Sequence, residues 1–416
     1  MSRRHALVPL GALAAVTAFS APPAAAAALP RVVIDAPRAI PDDPKITARL
    51  RVSGRRGYVG RAGIEIRGSS SQIFPKKAYG FETRTRRGRN RPVSLLGMPK
   101  ESDWVRLASY DDKTLMRNAV GYRAARRLSR YASRLRHVEL VLNGRYQGVY
   151  LLGEQLKLDG DRVDVDDRGV SGGYLLEMKA RNKIHRDDRV FRTPVTRTAI
   201  AYTDPDRGDL SARRAAWIRR YLGRFERALH GRSFRDRRRG YRAYLDMPSA
   251  VDYVLLNEYF KNHDAFQASA YMHKSTGGRL VLGPLWDLDL SMGNTNFPQS
   301  SGATGSLLVD YRWTRRLYRD PAFLAAMARR WRELRREGLL RDLLRDVDGT
   351  AVRLRGAQVR NFRRWDILGK NVFHNPPDPR TGALPGTYAR EVDYLKWFLR
   401  ERAAWMDANV ARLGRG

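Results

Sequence analysis

The sequence predicts an α+β fold in two parts, β-rich over about 29–205 and helix-rich over about 206–416. Alternating apolar residues crowd the first half. One helical periodicity interrupts them, and beyond residue 206 helical spacing takes over. Alternation marks strands at 32–35, 46–52, 62–67, 78–83 and 104–109. Residues 113–128 bring Leu115, Ala119, Tyr122 and Leu128 toward one face, which predicts a helix. Residues 138–142 and 146–152 flank Asn143–Gly144, a pair that accepts positive φ at both positions and so suits a two-residue hairpin turn. A strand at 174–178 follows an acidic loop at 159–168. In the second half, 210–230 and 248–260 read as helices, and 271–274 with 279–282 as a hairpin around Gly277–Gly278. Residues 298–305, rich in Ser and Gly, are expected to be mobile. Asp320–Pro321 opens a helix to about 346 with Phe323, Met327, Trp331 and Leu334 on its apolar side. A shorter helix at 352–365, a loop with four prolines at 375–386 and a closing helix at 391–413 follow.

With 43% hydrophobic residues, 8 Trp, 19 Tyr and 13 Phe, the chain can bury a core, which excludes global disorder. The first 28 residues stand apart: Arg3 and Arg4, an apolar stretch at 6–19 and small residues at 24–28 have the form of a secretory signal peptide. The expected folded chain is then 29–416, and the expected location is the cell envelope or the exterior. The arginine pair leaves both the general and the twin-arginine export routes open. There is no Cys, so neither disulfides nor a cysteine-linked lipid anchor is available. No later stretch is apolar over the roughly 18 residues a transmembrane helix needs. The net charge of +36 draws polyanions, and anionic envelope polymers are the expected partners. Nucleic acid is not expected, because the arginines are spread along the chain and no recognition motif gathers them.

The segment 257–294 carries the chemistry. Asp264 follows an apolar run, a hairpin comes next, and Asp287 and Asp289 alternate with Trp286, Leu288 and Leu290. Carboxylates in so apolar a run are costly to bury unless a cation joins them. A proton-accepting Asp, a small polar residue and a metal-binding Asp beyond two strands is the order of parts in kinase-type phosphoryl transfer. Asp264 is the candidate base, and Asp287, Asp289 and Ser269 are the candidate metal ligands; Ser269 stands five residues after Asp264, where protein kinases place Asn, and its hydroxyl is a weaker ligand than an amide carbonyl. Arg67, Ser69 and Ser70 surround a Gly-containing turn able to offer donors to phosphate. Lys76 and Lys77 open the next strand; they point to opposite faces, so one of them reaches a nucleotide, and parity does not say which. Either Glu154 or Glu177 could hold that lysine. Asp111 and Asp112 read as acids at a helix start rather than as ligands, and His263 as an orienting or packing residue. No zinc-type histidine spacing and no GxSxG elbow occurs.

Five blocks, 64–83 (IEIRGSSSQIFPKKAYGFET), 103–128, 138–157, 172–179 (GGYLLEMK) and 257–294, together with the tail at 395–410, resemble the spore-coat protein H (CotH) kinase-like family. The resemblance implies an atypical protein-kinase-like bilobal fold that uses ATP with Mg2+ or Mn2+. The reaction it favours is phosphoryl transfer to Ser or Thr of a protein substrate. AMP transfer or ligase chemistry could run on the same parts. The rival readings are a non-catalytic cationic envelope scaffold and a metal-dependent phosphodiesterase built on Asp264, Asp287 and Asp289.

N-terminal sequencing of exported protein should find a start between Ala25 and Leu29. The Arg3→Lys/Arg4→Lys variant separates the routes: it stays in the cytoplasm on twin-arginine export and is secreted normally on the general route. Exported protein that still carries Met1 would remove the leader altogether.

Overall fold

Strand β2 (Ile46–Val52) alternates buried and exposed residues along its whole length, the period that turns one face of a strand to a core. It pairs on one side with β1 (Arg31–Asp35) and on the other with β3 (Tyr58–Arg67). In the computed structural model, which describes residues 28–186, 188–205 and 208–414, these strands belong to a closed barrel. It continues through β4 (Ala78–Arg84), β5 (Asp103–Leu107) and the hairpin of β6 (Leu135–Leu142) with β7 (Arg145–Glu154), in the order β1-β2-β3-β4-β5-β7-β6. Parallel pairing of β1 with β6, Val32 opposite Leu140, closes it. The hairpin turns at Asn143 (φ 48°) and Gly144 (φ 74°), the two positive angles expected of that dipeptide. Val32, Leu50, Ile64, Phe81, Trp104 and Leu152 fill the barrel core. The expected leader lies almost wholly outside the described residues, and among these no helix is long and apolar enough to cross a membrane.

A second sheet of five strands runs β12-β11-β8-β10-β9. It comprises β8 (Tyr174–Lys179), β9 (Val190–Arg192), β10 (Ala199–Asp204), β11 (Ala270–Lys274) and β12 (Leu280–Leu282), so it draws strands from both sides of residue 205. β9 and β10 were not legible as strands; β9 has three residues and is held by its pairing to β10. The helices are α1 (Arg117–Arg127), α2 (Ala212–His230), α3 (Met247–Phe260), α4 (Thr314–Leu317), α5 (Pro321–Arg336), α6 (Leu339–Arg364) and α7 (Tyr388–Asn409). α1 starts four residues later than its periodicity suggests. The Asp112 carboxylate accepts from the N–H groups of Thr114, Met116 and Arg117 and winds 112–116 into a turn. The helices expected at 320–346 and 352–365 are divided elsewhere. The chain breaks at Gly338, whose φ of 89° ends α5, and then runs unbroken through α6.

The Ser/Gly segment at 298–305 is tied down, contrary to expectation. Lys261 Nζ donates to the carbonyls of Ser301 and Thr304, and Arg402 Nη1 to those of Ala303 and Gly305. Arg402 also pairs with Glu258 at 2.9 Å, both side chains fully buried. Glu258 in turn accepts from the N–H groups of Leu307 and Leu308 and from the Tyr318 hydroxyl. One ion pair thus joins α3, α7 and the chain between them.

Arg106 is its opposite. It is fully buried in the barrel over the Phe81 ring, 4.5 Å from the centroid, and none of its three nitrogens has a hydrogen-bond partner among the described residues. Arg402→Met should destabilise the protein by about 3–5 kcal/mol, because Glu258 is left buried and unpaired, whereas Arg106→Met should be neutral or stabilising by about 1–3 kcal/mol. Urea titrations of the two variants check this, and a large loss from Arg106→Met would reverse the assignment.

Candidate active site

The barrel and the second sheet both contribute walls to a cavity of about 390 Å3. From the barrel side come Arg67, Ser69, Ser70 and Lys76; the second sheet adds Glu177; the connections around β11 and β12 bring Asp264, Ser269, Asp287 and Asp289. Nine of the eleven residues singled out from the sequence therefore meet in one place. The turn between β3 and β4 depends on Gly68, at φ 104°; a Cβ there would stand 2.2 Å from Ser71 Oγ.

Lys77 and Glu154 lie elsewhere. Lys77 Nζ donates to the Gln72 carbonyl. Glu154 is fully buried, pairs with Arg134 at 2.7 Å and accepts from the Tyr131 hydroxyl. It ends β7 and, among the described residues, pairs with no lysine. Lys76 is the lysine at the cavity floor, 1% exposed. Its Nζ donates to Val149 O at 2.7 Å and to Asn361 Oδ1 at 3.1 Å. The carboxylate partner expected for it is absent among the described residues: Glu177 faces Lys179 at 3.8 Å instead. Burial pushes the Lys76 ammonium down to about 7, and Asp112 and Asp289 offset only part of that.

Asp264 follows α3. That helix ends at Lys261 in the left-handed conformation, and Asn262 Oδ1 receives the Asp264 N–H. Lys183, from the turn after β8, pairs with Asp264 at 2.8 Å. Burial works against its charge, but Asp264 and Asp287 outweigh it and raise its pKa. No local pattern marks Lys183 in the sequence, because its partner is 81 residues away. His263 packs: its ring stacks on Phe297 at 4.1 Å and Nδ1 meets the Ser300 hydroxyl.

Helix α1 sets the other carboxylates. Asn118 Nδ2 donates to Asp289 Oδ1 at 2.6 Å, and its Oδ1 accepts from the Leu288 N–H at 2.8 Å. The Tyr122 hydroxyl accepts from the Asp287 N–H, and its ring stacks on Trp286. Asp287 holds a φ of 59° and Ser269 one of 50°, a conformation that side chains other than Gly resist and that persists where surroundings enforce it. Ser269 lines the cavity beside Asp287.

The acids at 111 and 112 divide their roles. Asp112 is the helix-start acid, paired also with Arg117 at 2.6 Å. Asp111 lines the cavity, which the sequence reading missed. Burial, then Asp112 and Asp287, raise its carboxyl to about 7. Burial and Asp264 raise Asp287; burial, Asp111 and Asp287 raise Asp289 well above the carboxylate range. Burial likewise lifts Glu177 to about 7. Like charges crowd here with too few cations, the donor chemistry that a divalent metal relieves. Among the described residues no three His, Asp or Glu side chains form a ready metal cage. Mg2+ needs none, since it takes one or two carboxylates and completes its shell with phosphate and water.

The model of the family described as CotH kinase protein matches residues 64–406, a span that contains every cavity residue named above. No curated protein matches the chain.

Lys76 provides a pH test. Its folded value near 7 lies below the usual 10.5, so between those values the unfolded chain binds more protons and stability rises with pH. Relative to Lys76→Met, the parent should gain ~2 kcal/mol between pH 7 and pH 9 in denaturant titrations without divalent cation. Parallel curves for the two proteins would show that Lys76 stays charged.

Proposed function

Because the chain belongs to the CotH kinase protein family, we propose that it is an ATP- and divalent-metal-dependent protein kinase acting on Ser or Thr hydroxyls in the cell envelope or outside the cell. The observation that carries this reading is the meeting of Lys76, Asp264, Asp287 and Asp289 in one cavity between barrel and second sheet. In the same reading the barrel stands for the nucleotide-side lobe of a kinase and the sheet with its helices for the acceptor-side lobe. A basic surface of net charge +36 suits residence among anionic envelope polymers.

Asp287 and Asp289 would hold Mg2+ or Mn2+, with Asn118 fixing the Asp289 carboxylate. Metal-bound ATP supplies the transferable phosphoryl group and the positive charge that these carboxylates lack. Lys76 and Arg67 offer cationic donors to the phosphates. Asp264, kept in place by Lys183, receives the acceptor's hydroxyl proton as the hydroxyl oxygen bonds to the γ-phosphorus; the bond from that phosphorus to the bridging oxygen breaks and ADP leaves. The contribution of Asp264 is mostly one of position.

Mg2+ with ATP should stabilise the protein beyond either alone, by about 2.7 kcal/mol at 100 times Kd. Asp264→Asn should keep that stabilisation and lose transfer by roughly 10²–10³ in kcat. Asp287→Asn should lose the stabilisation itself. Thermal shift and radiolabelled phosphate transfer read the two separately. Variants that both bind and both transfer like the parent would sink the site assignment. Metal-dependent cleavage of a phosphodiester with no response to ATP would favour the phosphodiesterase.

A further inference from the structure

Beside the cleft lies a second cavity of about 370 Å3, which no part of the nucleotide reading uses. Lys179 lines both. The wall between them is the turn at 264–268, in which the Asp264 carbonyl accepts from the N–H groups of Gln267 and Ala268. Phe266 and Gln267 face the second cavity, while Asp264 faces the first. The far wall is bonded to the same turn: Tyr311 Oη accepts from Gln267 Nε2 at 2.6 Å and donates to the His263 carbonyl at 3.3 Å. An occupant of this cavity would therefore lie directly against the turn that carries the candidate base.

The lining is basic. Arg181, Arg192 and Arg312 stand against one carboxylate, Asp310. Arg192 and Arg312 donate to the neutral oxygens Arg197 O and Thr198 Oγ1, and among the described residues none of the three guanidiniums is paired with a carboxylate. Arg181 opens the turn Arg181–Lys183 whose last residue holds Asp264. Arginines are common on so cationic a chain, and an arginine-lined depression also lies on the barrel around Arg49, Arg51 and Arg61. What sets the second cavity apart is its place against the Asp264 turn. Guanidinium forks without carboxylate partners match the geometry of carboxylates brought by a ligand.

We propose that this cavity is the acceptor-side subsite of the cleft and that it takes a peptide segment with acidic side chains beside the hydroxyl to be phosphorylated. The proposal rests on the kinase reading of the neighbouring cavity. Lys183 holds the base on one side of the turn, and Arg181 and Arg312 draw the acidic flank of the acceptor to the other.

The test uses fluorescein-labelled peptides with a single Ser flanked by Glu or by Lys, and fluorescence anisotropy with the parent protein and two variants. Arg181→Glu/Arg312→Glu should weaken the Glu-flanked peptide by ~10-fold or more, with Mg2+–ATP stabilisation unchanged. Arg49→Glu/Arg51→Glu, which makes the same charge change on the barrel, should leave that affinity as in the parent. The milder Arg181→Gln/Arg312→Gln should lose part of the affinity, so that misfolding of the reversal variant does not decide the matter. Equal losses from both reversals, no loss from the pocket variants, or a Lys-flanked peptide bound as tightly as the Glu-flanked one would each overturn the subsite. Specific binding of the acidic peptide without any phosphate transfer would keep the subsite and sink the kinase. Transfer to both peptides with equal kcat/KM would do the reverse.

Discussion

The side-chain amide of Asn118 binds the acidic segment of the site to helix α1 through both of its ends. It grips the Asp289 carboxylate with its nitrogen and the Leu288 N–H with its oxygen. That contact requires α1 to lie hard against the chain at 286–292, and Gly121 is what permits it. A Cβ there would fall 2.0 Å from Cδ1 of the fully buried Leu288, so that side chain would have to shift. α1 is itself placed by its capping acid, since Asp112 binds three backbone N–H groups and the Arg117 guanidinium. The site thus inherits its geometry from one helix start and one missing side chain.

The carboxylates so positioned oppose one another. Burial raises all three pKa values, with Asp112 and Asp287 adding to it at Asp111, Asp264 at Asp287, and Asp111 and Asp287 at Asp289, because burial removes the water that would screen the charges. Lys183 relieves the Asp264 side, while Lys76 is too desolvated to serve fully as a counter-charge without an added anion. In the proposed reading, metal together with phosphate would answer both halves of this imbalance: positive charge for the acids, negative charge for the lysine. The same imbalance explains why a carboxylate partner for Lys76 is dispensable here. Val149 O and Asn361 Oδ1 hold its head by neutral hydrogen bonds.

The side around Asp264 is built differently, on rigidity. The Glu258–Arg402 pair fastens the end of α3 to α7 and pins the chain at 303–308 beside it. The turn at 264–268 springs from this anchored helix end, and Tyr311 ties the opposite wall back to it. A segment whose composition suggests mobility is tied down because two buried cations bind its carbonyls. Composition reports what a segment would do alone; it does not see cations arriving from 40 to 99 residues away in sequence.

What the sequence by itself determined is local. Period-two alternation located most of the barrel strands, Asn143–Gly144 set its hairpin, and Asp287 and Asp289 stood out as acids in an apolar run. Five blocks in one order were enough to indicate the family that the match over 64–406 establishes. What only the tertiary structure decided is which faces meet. Lys76 and Lys77 differ by a half-turn of the strand, and the choice between them was made by Asn361, 285 residues downstream. Glu154 was claimed by Arg134, Asp111 parted from Asp112, and Lys183 joined Asp264 only when the second sheet formed. The closing of the barrel, β1 on β6, has no sequence signature either. Backbone period and turn chemistry act over a few residues and can be read along the chain. The partner of a buried charge is selected by distance in space, where desolvation makes an unpaired group costly and any compatible group nearby, from any part of the sequence, can answer it.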